Sequence, residues 1–328
     1  YYFLTTSSSA PARAGVSSKT FDSSNPAIPY HFRKDTILYK TQFSAVTWGP
    51  GSDLNHSYYD QSNSWTGPTI VGLNATPSSE LPRELNVSYT LNKWHDSPEA
   101  PKPIVEMLFN GLYNGAHDIQ VSSGNKKLLA KAAFNGWGGK KAAFELSKED
   151  LPNNTTGSFN IQSISTSQND WFGLSYLTIV YPQQIGMDGK LQKEFQIPKM
   201  QKSGSYSLVI DKGPQNLEVY DITDPYRITI LKGSSSDSEF KCTVDITTGI
   251  SRRLFAVNPD RYHAVSAQLV NEVDLSPVFL YDQQVITSAN AVAPQDYDYI
   301  IVTNDTLKAG AIEYASYRSG NEGGNHRA

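Results

Sequence analysis

Between residues 66 and 182 the chain repeats one pattern: a short run in which apolar and polar side chains alternate, then a cluster of Gly, Pro, Asn, Asp or Ser. Alternation with a period of two is what a strand with one buried face requires. Thr69–Leu73, Glu84–Leu91, Ile104–Phe109 and Asp118–Val121 fit it, as do Ala130–Phe134, Ala142–Leu146, Phe159–Ile164 and Trp171–Tyr181. Short strands with turn chemistry between them predict a β-sandwich. "VEMLFNGLYNG" reads as a strand, a tight turn on Asn110-Gly111, and a second strand. "NDWFGLSYLTIVYP" alternates Phe172, Leu174, Tyr176, Thr178 and Val180 before Pro182 ends it. A long strand running into proline suits the last strand of a jelly roll.

Around this sandwich the pattern changes three times. Residues 1–65 form a strand-and-loop lead-in, with strands expected at Tyr1–Thr5 and Ile37–Val46 and turn signals at Asn25-Pro26 and Gly49-Pro50-Gly51. After a connection over 183–202, a small second β-sandwich region runs to 291. Its strands are expected at Tyr206–Ile210, Leu217–Tyr220, Arg227–Leu231, Phe240–Ile246 and Arg253–Val257. From 292 to 328 the reading is α/β. Tyr299-Ile300-Ile301-Val302 has the composition of a buried parallel strand. Thr303-Asn304-Asp305-Thr306 then offers helix N-caps, and Leu307, Ala311, Tyr314, Ala315 and Arg318 follow at helical spacing. The second strand of that βαβ unit is expected outside the chain. The fold class is therefore mainly β: a jelly-roll-like sandwich, a small immunoglobulin-like β region, and the first strand and helix of an α/β domain.

Composition agrees and excludes. Charged residues are 18%, aromatic residues 11%, and Tyr alone counts 19, a mixture suited to pleated, half-exposed surfaces. A net charge of −4 and a pI near 5.9 give no electrostatic footprint for nucleic acid. No run approaches the length of apolar sequence that crosses a membrane as a helix. The chain opens on Tyr1 with no basic n-region, as a fragment or processed product would.

The single cysteine, Cys242, rules out an internal disulfide. In "EFKCTVDI" it shares a strand face with Phe240, Val244 and Ile246, so it reads as a core residue, not a nucleophile. The histidines (His31, His56, His95, His117, His263 and His326) form no metal-ligand or zincin spacing and read as surface or hydrogen-bonding residues. Asp221 and Asp224 in "VYDITDP" suit a turn, with a calcium or partner contact as the other reading. "NGWGGKK" does not follow a strand and open a helix in the dinucleotide-binding manner. Trp65, Trp137 and Trp171 are the candidate ligand-face aromatics, either a sugar-stacking surface or ordinary sandwich residues. No residue is singled out as catalytic, cofactor-binding or metal-ligating.

Three stretches taken in order, "YYFLTT" at the start, "VYDITDP" at 219–225 and "QDYDYIIVTNDTLKAGAIEYASYR" at 295–318, resemble the gingipain-type cysteine peptidases. Within that family they are most similar to the sorting branch, the PorU-type signal peptidases of the type IX secretion system. "DWFGLSYLTIVYP" resembles the end of that branch's jelly roll, and "DYIIVT" the first strand of its catalytic α/β domain. "YHFRKDTILYKTQF" and "SWTGPTI" match the branch only loosely.

The resemblance implies a pre-catalytic segment of a surface cysteine endopeptidase. Such an enzyme cleaves the C-terminal sorting signal of secreted cargo and anchors the cargo at the bacterial outer-membrane surface. Implied partners are that cargo and an outer-membrane secretion component; calcium is implied by the resemblance alone. The family's catalytic Cys and His lie downstream of the first α/β strand, so neither is carried onto this chain. The alternative is a non-catalytic cell-surface protein, a carbohydrate-binding or adhesion β-sandwich.

Overall fold

A computed structural model describes residues 14–43, 65–151, 155–167, 169–236, 238–261, 299, 301 and 303–326. They fall into two compact units, Ser7–His263 and a second that holds the described residues from 299 onward.

In the first unit two sandwiches share one sheet. Its order begins β1(Gly15–Val16), β16(Thr229–Leu231), β15(Glu218–Asp221), β19(Arg252–Val257) and β13(Gln192–Ile197). It continues through β2(His31–Leu38), β12(Trp171–Gln183), β7(Ile104–Gly111) and β10(Gly139–Glu145), with β5(Ile70–Val71) paired to β12. Over the β12 half lies a sheet of β6(Glu84–Thr90), β11(Thr156–Ser163), β8(Ala116–Ser123) and β9(Leu128–Asn135). Over the β13 half lies one of β14(Gly204–Asp211), β18(Glu239–Ile246) and β17(Gly233–Ser236), and a two-stranded ribbon pairs β3(Gln42–Phe43) with β4(Trp65–Thr66).

The alternation seen in the sequence becomes the inner faces of these sheets. Along β11 the buried residues are Gly157, Phe159, Ile161 and Ser163, every second position. In the first core Tyr89 stacks on Phe159 at 4.3 Å and Phe109 meets Phe172 edge-on at 6.0 Å. Each such ring, fully removed from water, contributes about 1.5–3 kcal/mol. The second core gathers Phe195, Ile197, Leu208, Val219, Val244 and Leu254, and Cys242 lies fully buried among them.

The cores meet where β2 touches β13, through the pair Gln196↔Phe32. The buried Lys193 ammonium closes this junction, donating to Gln183 Oε1 (2.9 Å), the Gly186 carbonyl (2.7 Å) and Asp188 Oδ2 (2.6 Å). His31 Nε2 reaches the same Gln183 oxygen at 3.0 Å. A buried charge without such partners would be strongly unfavourable, so the network ties β2, β12 and β13 into one arrangement.

In the first unit the structure corrects the sequence reading in four places. First, Pro182 does not end its strand: β12 runs to Gln183, with Pro182 opposite Phe32. The Pro182 carbonyl accepts from His95 N–H (2.9 Å), so its nitrogen also faces away from β2 and the ladder loses no donor. Second, Asn110-Gly111 is not a turn but the end of β7; the bend follows at 112–115. Third, the connection over 183–202 contains β13, whose alternation is carried by Phe195 and Ile197 alone among polar neighbours. Fourth, the lead-in strand spans His31–Leu38 and sits in the middle of the shared sheet, between β13 and β12. The expected strand at Tyr1–Thr5 lies outside the described residues.

In the second unit Asn304 caps a short 3-10 turn (Asp305–Leu307), its Oδ1 accepting from Leu307 N–H at 3.1 Å, and α1(Lys308–Ser319) follows. No residue of α1 is buried. Tyr299 and Ile301, expected in a buried strand, are half-buried and outside regular structure; Ile300 and Val302 lie outside the described residues. A parallel strand is held by neighbours along its edges, and none is present among this unit's described residues.

Candidate functional site

The three candidate tryptophans do not form one platform. Trp171 begins β12, and Trp137 occupies the turn between β9 and β10. Gly111 N–H donates to the Gly138 carbonyl (3.0 Å), and Leu112 N–H donates to the Trp171 carbonyl (2.8 Å). Trp137, Leu112 and Trp171 therefore stand in one row across neighbouring segments, which separates the two tryptophan backbones by about 10 Å. Trp65 is elsewhere. Val71 pairs with Trp171 and Ile70 with Phe172, so the 65–71 segment runs antiparallel to β12. With Gly67 N–H bonded to the Leu174 carbonyl, Trp65 lies toward Tyr176, roughly 15 Å along the strand from Trp171.

Beneath the row sits a buried side-chain network. His117, Asp170 and Ser163 are each at most 1% exposed. His117 Nδ1 lies 2.7 Å from Asp170 Oδ1, and Ser163 Oγ donates to Asp170 Oδ2 at 2.5 Å. On the other side His117 Nε2 faces the carbonyls of Gly136 (3.0 Å) and Tyr113 (3.2 Å). One imidazole thus joins the β7–β8 loop, the β9–β10 turn and the segment leading into β12. Gly111 makes the arrangement fit, because a Cβ there would sit 2.0 Å from the Gly136 carbonyl and 2.5 Å from His117 Nε2. That close approach explains an Asn-Gly pair inside a strand.

Ser, His and Asp in contact invite comparison with a nucleophilic triad, but the connectivity is wrong. In a triad the hydroxyl bonds to the imidazole and the carboxylate orients the far ring nitrogen. Here the hydroxyl bonds to the carboxylate, and carbonyls occupy the remaining ring nitrogen. The network holds loops; it does not activate a nucleophile.

Its surface is aromatic and uncharged. Tyr113 and Trp171 are each 37% exposed, their ring centroids 6.2 Å apart and their planes inclined by 56°. Asn169 Nδ2 donates to Tyr113 Oη at 3.3 Å. Trp137, in the same row, is half-buried.

The remaining candidates resolve simply. Burial pushes the Cys242 thiol up to about 12, so it carries negligible thiolate at neutral pH. Asp221 Oδ1 accepts from Thr223 N–H (3.0 Å), and Asp224 Oδ1 accepts from Tyr226 N–H (2.9 Å), the bonds of two Asx turns. Among the described residues no group of three or more His, Cys, Asp or Glu side chains could hold a metal ion, and no helix is long and apolar enough to cross a membrane. His117, Asp170 and Tyr113 were not singled out by sequence reasoning. A signal was present for His117, which shares its strand face with Ile119 and Val121 and so had to be buried. Asp170 carries no such mark, since it lies outside any alternation.

No family model matches the chain, and no curated protein matches it by sequence. Among solved structures the chain is similar over 96% of its length to dimeric latent PorU from Porphyromonas gingivalis, with a TM-score of 0.51 and 13% identity. It spans 27% of that protein's chain. At this identity the likeness is one of fold. Much weaker is the similarity to a CBM36 carbohydrate-binding module in complex with calcium and xylotriose: TM-score 0.25, 8% identity, 44% of this chain and 98% of the module. A CBM36-1 domain of a multidomain xylanase from the hindgut metagenome of Trinervitermes trinervoides gives a TM-score of 0.26 and 9% identity, over 45% of this chain and 96% of the domain. Scores of that size do not bear on what this chain binds.

Proposed function

We propose that this chain is the β-rich, pre-catalytic segment of a gingipain-like surface cysteine endopeptidase, a sortase that cleaves C-terminal sorting signals from type IX-secreted cargo and anchors the cargo. The observation that carries the reading is the fold likeness to latent PorU over 96% of the chain, on a sequence whose "YYFLTT", "VYDITDP" and "DYIIVT" stretches resemble that branch in order. In this reading the sandwiches are scaffold and cargo-facing surface, and the nucleophile and its base belong to a catalytic domain that follows α1. The α1 surface supports it: Tyr314 is 46% exposed and Tyr317 50%, large side chains of a helix with no buried residue. The enzyme works at the outer-membrane surface with the secretion machinery as partner, and calcium belongs to the reading only by resemblance.

The test is cleavage of a peptide spanning a cargo's C-terminal signal junction by the full gene product and by this chain alone. The full product cleaves, the chain alone does not, and Cys242→Ala in the full product leaves cleavage intact. Cleavage that depends on Cys242, or a full product inert toward sorting signals whose removal leaves cargo processing unchanged, overturns the reading.

A further inference from the structure

We propose that the end of the first sandwich bearing Trp171, Tyr113 and Trp137 is a binding site for a neutral pyranose oligosaccharide. The inference stands apart from the peptidase reading and needs no catalytic domain.

Three observations carry it. The first is the pair of rings. Trp171 and Tyr113 are over one-third exposed, with centroids 6.2 Å apart and planes inclined by 56°, so two large aromatic side chains meet at the surface of one sandwich end. A pyranose with equatorial hydroxyls has a flat C–H face that packs on such a ring, while its hydroxyls point to the rim. The second is the chemistry of that rim. Residues 111–115, 136–138 and 169–171 contain no charged side chain except Asp170, which is buried and engaged. What surrounds the rings is amide: Asn169, bonded to Tyr113 Oη at 3.3 Å, and the exposed Asn114. An amide both donates and accepts, as paired sugar hydroxyls require, whereas a phosphate or an acidic peptide would find no cation in these loops.

The third is rigidity. A buried His–Asp pair adds little to stability beyond what well-packed apolar residues would provide. What this pair does achieve is to fix all three loops through one imidazole, to Asp170 at 2.7 Å, Gly136 at 3.0 Å and Tyr113 at 3.2 Å. Loops held in place before a ligand arrives lose less freedom on binding, which is how a shallow stacking site gains affinity. The arrangement joins exposed aromatic rings, uncharged amides and a locked backbone at one place.

The experiment uses the full chain on a glycan array that includes cellotriose and triacetylchitotriose, followed by calorimetric titration with the trisaccharide retained best. Trp171→Ala and, separately, Tyr113→Ala are expected to weaken binding roughly tenfold or more, the loss of one aromatic contact. Trp65→Ala, on the same strand system but outside the site, leaves affinity unchanged. Should Trp171→Ala fold poorly, protection of Trp171 from N-bromosuccinimide by the bound trisaccharide reports the same contact in the unaltered protein. Silence across the array overturns the proposal. So does equal weakening by Trp65→Ala and Trp171→Ala, and so does a shift of oligomeric state by Trp171→Ala without sugar binding, which would assign the rings to a protein interface.

Discussion

Gly111→Ala isolates the reasoning about the three-loop network better than any change to the network itself. The new methyl group would lie 2.0 Å from the Gly136 carbonyl and 2.5 Å from His117 Nε2, both well inside van der Waals contact. Gly111 is not among the glycines with positive φ, so alanine suffers no backbone strain there and even gains from a less flexible unfolded chain, by about 0.4–1 kcal/mol. Against that stand overpacking, at about 1–3 kcal/mol, and a buried His117 nitrogen pushed off its carbonyl, at about 1–3 kcal/mol. The net expectation is a loss of about 1–6 kcal/mol, a large share of the total stability of an ordinary domain. Urea unfolding followed by tryptophan fluorescence measures it, with an unchanged slope marking a change in stability alone. Gly138→Ala is the internal control: its Cβ would meet only the Asn135 carbonyl, at 3.7 Å, so its midpoint stays near that of the parent. If Gly111→Ala matched the parent, or if the two alanine variants were destabilised equally, the close approach of β7 to His117 would not be what holds the loops.

Three further outcomes follow from the same geometry. Burial, and then the charge of Lys193, hold the His31 imidazole down to about 4. An unfolded histidine titrates near 6.5, so acidification protonates the unfolded chain first and removes up to about 3 kcal/mol of stability between pH 6.5 and 4; His31→Gln flattens that part of the urea-midpoint profile, and an unaltered slope refutes the assignment. Cys242 resists iodoacetamide in the native protein and reacts fully in denaturant, since its thiol is buried and pushed up to about 12; labelling of the native state at the rate of a free thiol contradicts the described core. Gly310→Ala in α1 meets nothing within 4 Å, so it stabilises the helix by about 1 kcal/mol, read as roughly fivefold slower amide exchange over Lys308–Ser319.

How much was legible depends on what each residue could reveal locally. Glu84–Thr90, Phe159 to Ser163 and Glu239–Ile246 alternate cleanly, and the structure has strands there. Cys242 declared itself as core by sharing a face with Phe240 and Val244. The Asn304 cap and the helix after it were equally readable, because capping is a contact between near neighbours. Gln192–Ile197 was missed because two apolar residues among Gln, Lys and Glu are too few to show a period. Asn110-Gly111 misled because the composition of a tight turn and that of a close backbone approach are the same.

The candidate site followed the same division. That Trp65, Trp137 and Trp171 sit on a β-rich surface was open to inference from sequence, as was the burial of His117. Their grouping was not. A period of two states which face of a strand is inside, and says nothing of which strand lies beside it. Only the tertiary structure placed His31–Leu38 between β12 and β13, and only the antiparallel register of 67–71 on β12 carried Trp65 away from Trp171. Likewise only the folding of β7, β9 and β11 to one end brought Gly136, Tyr113 and Asp170 around a single imidazole. By itself the sequence determined strands, faces, caps and the buried cysteine, which rest on neighbours in the chain. The shared sheet and the locked aromatic end rest on contacts between distant segments, so they exist only once the chain has folded.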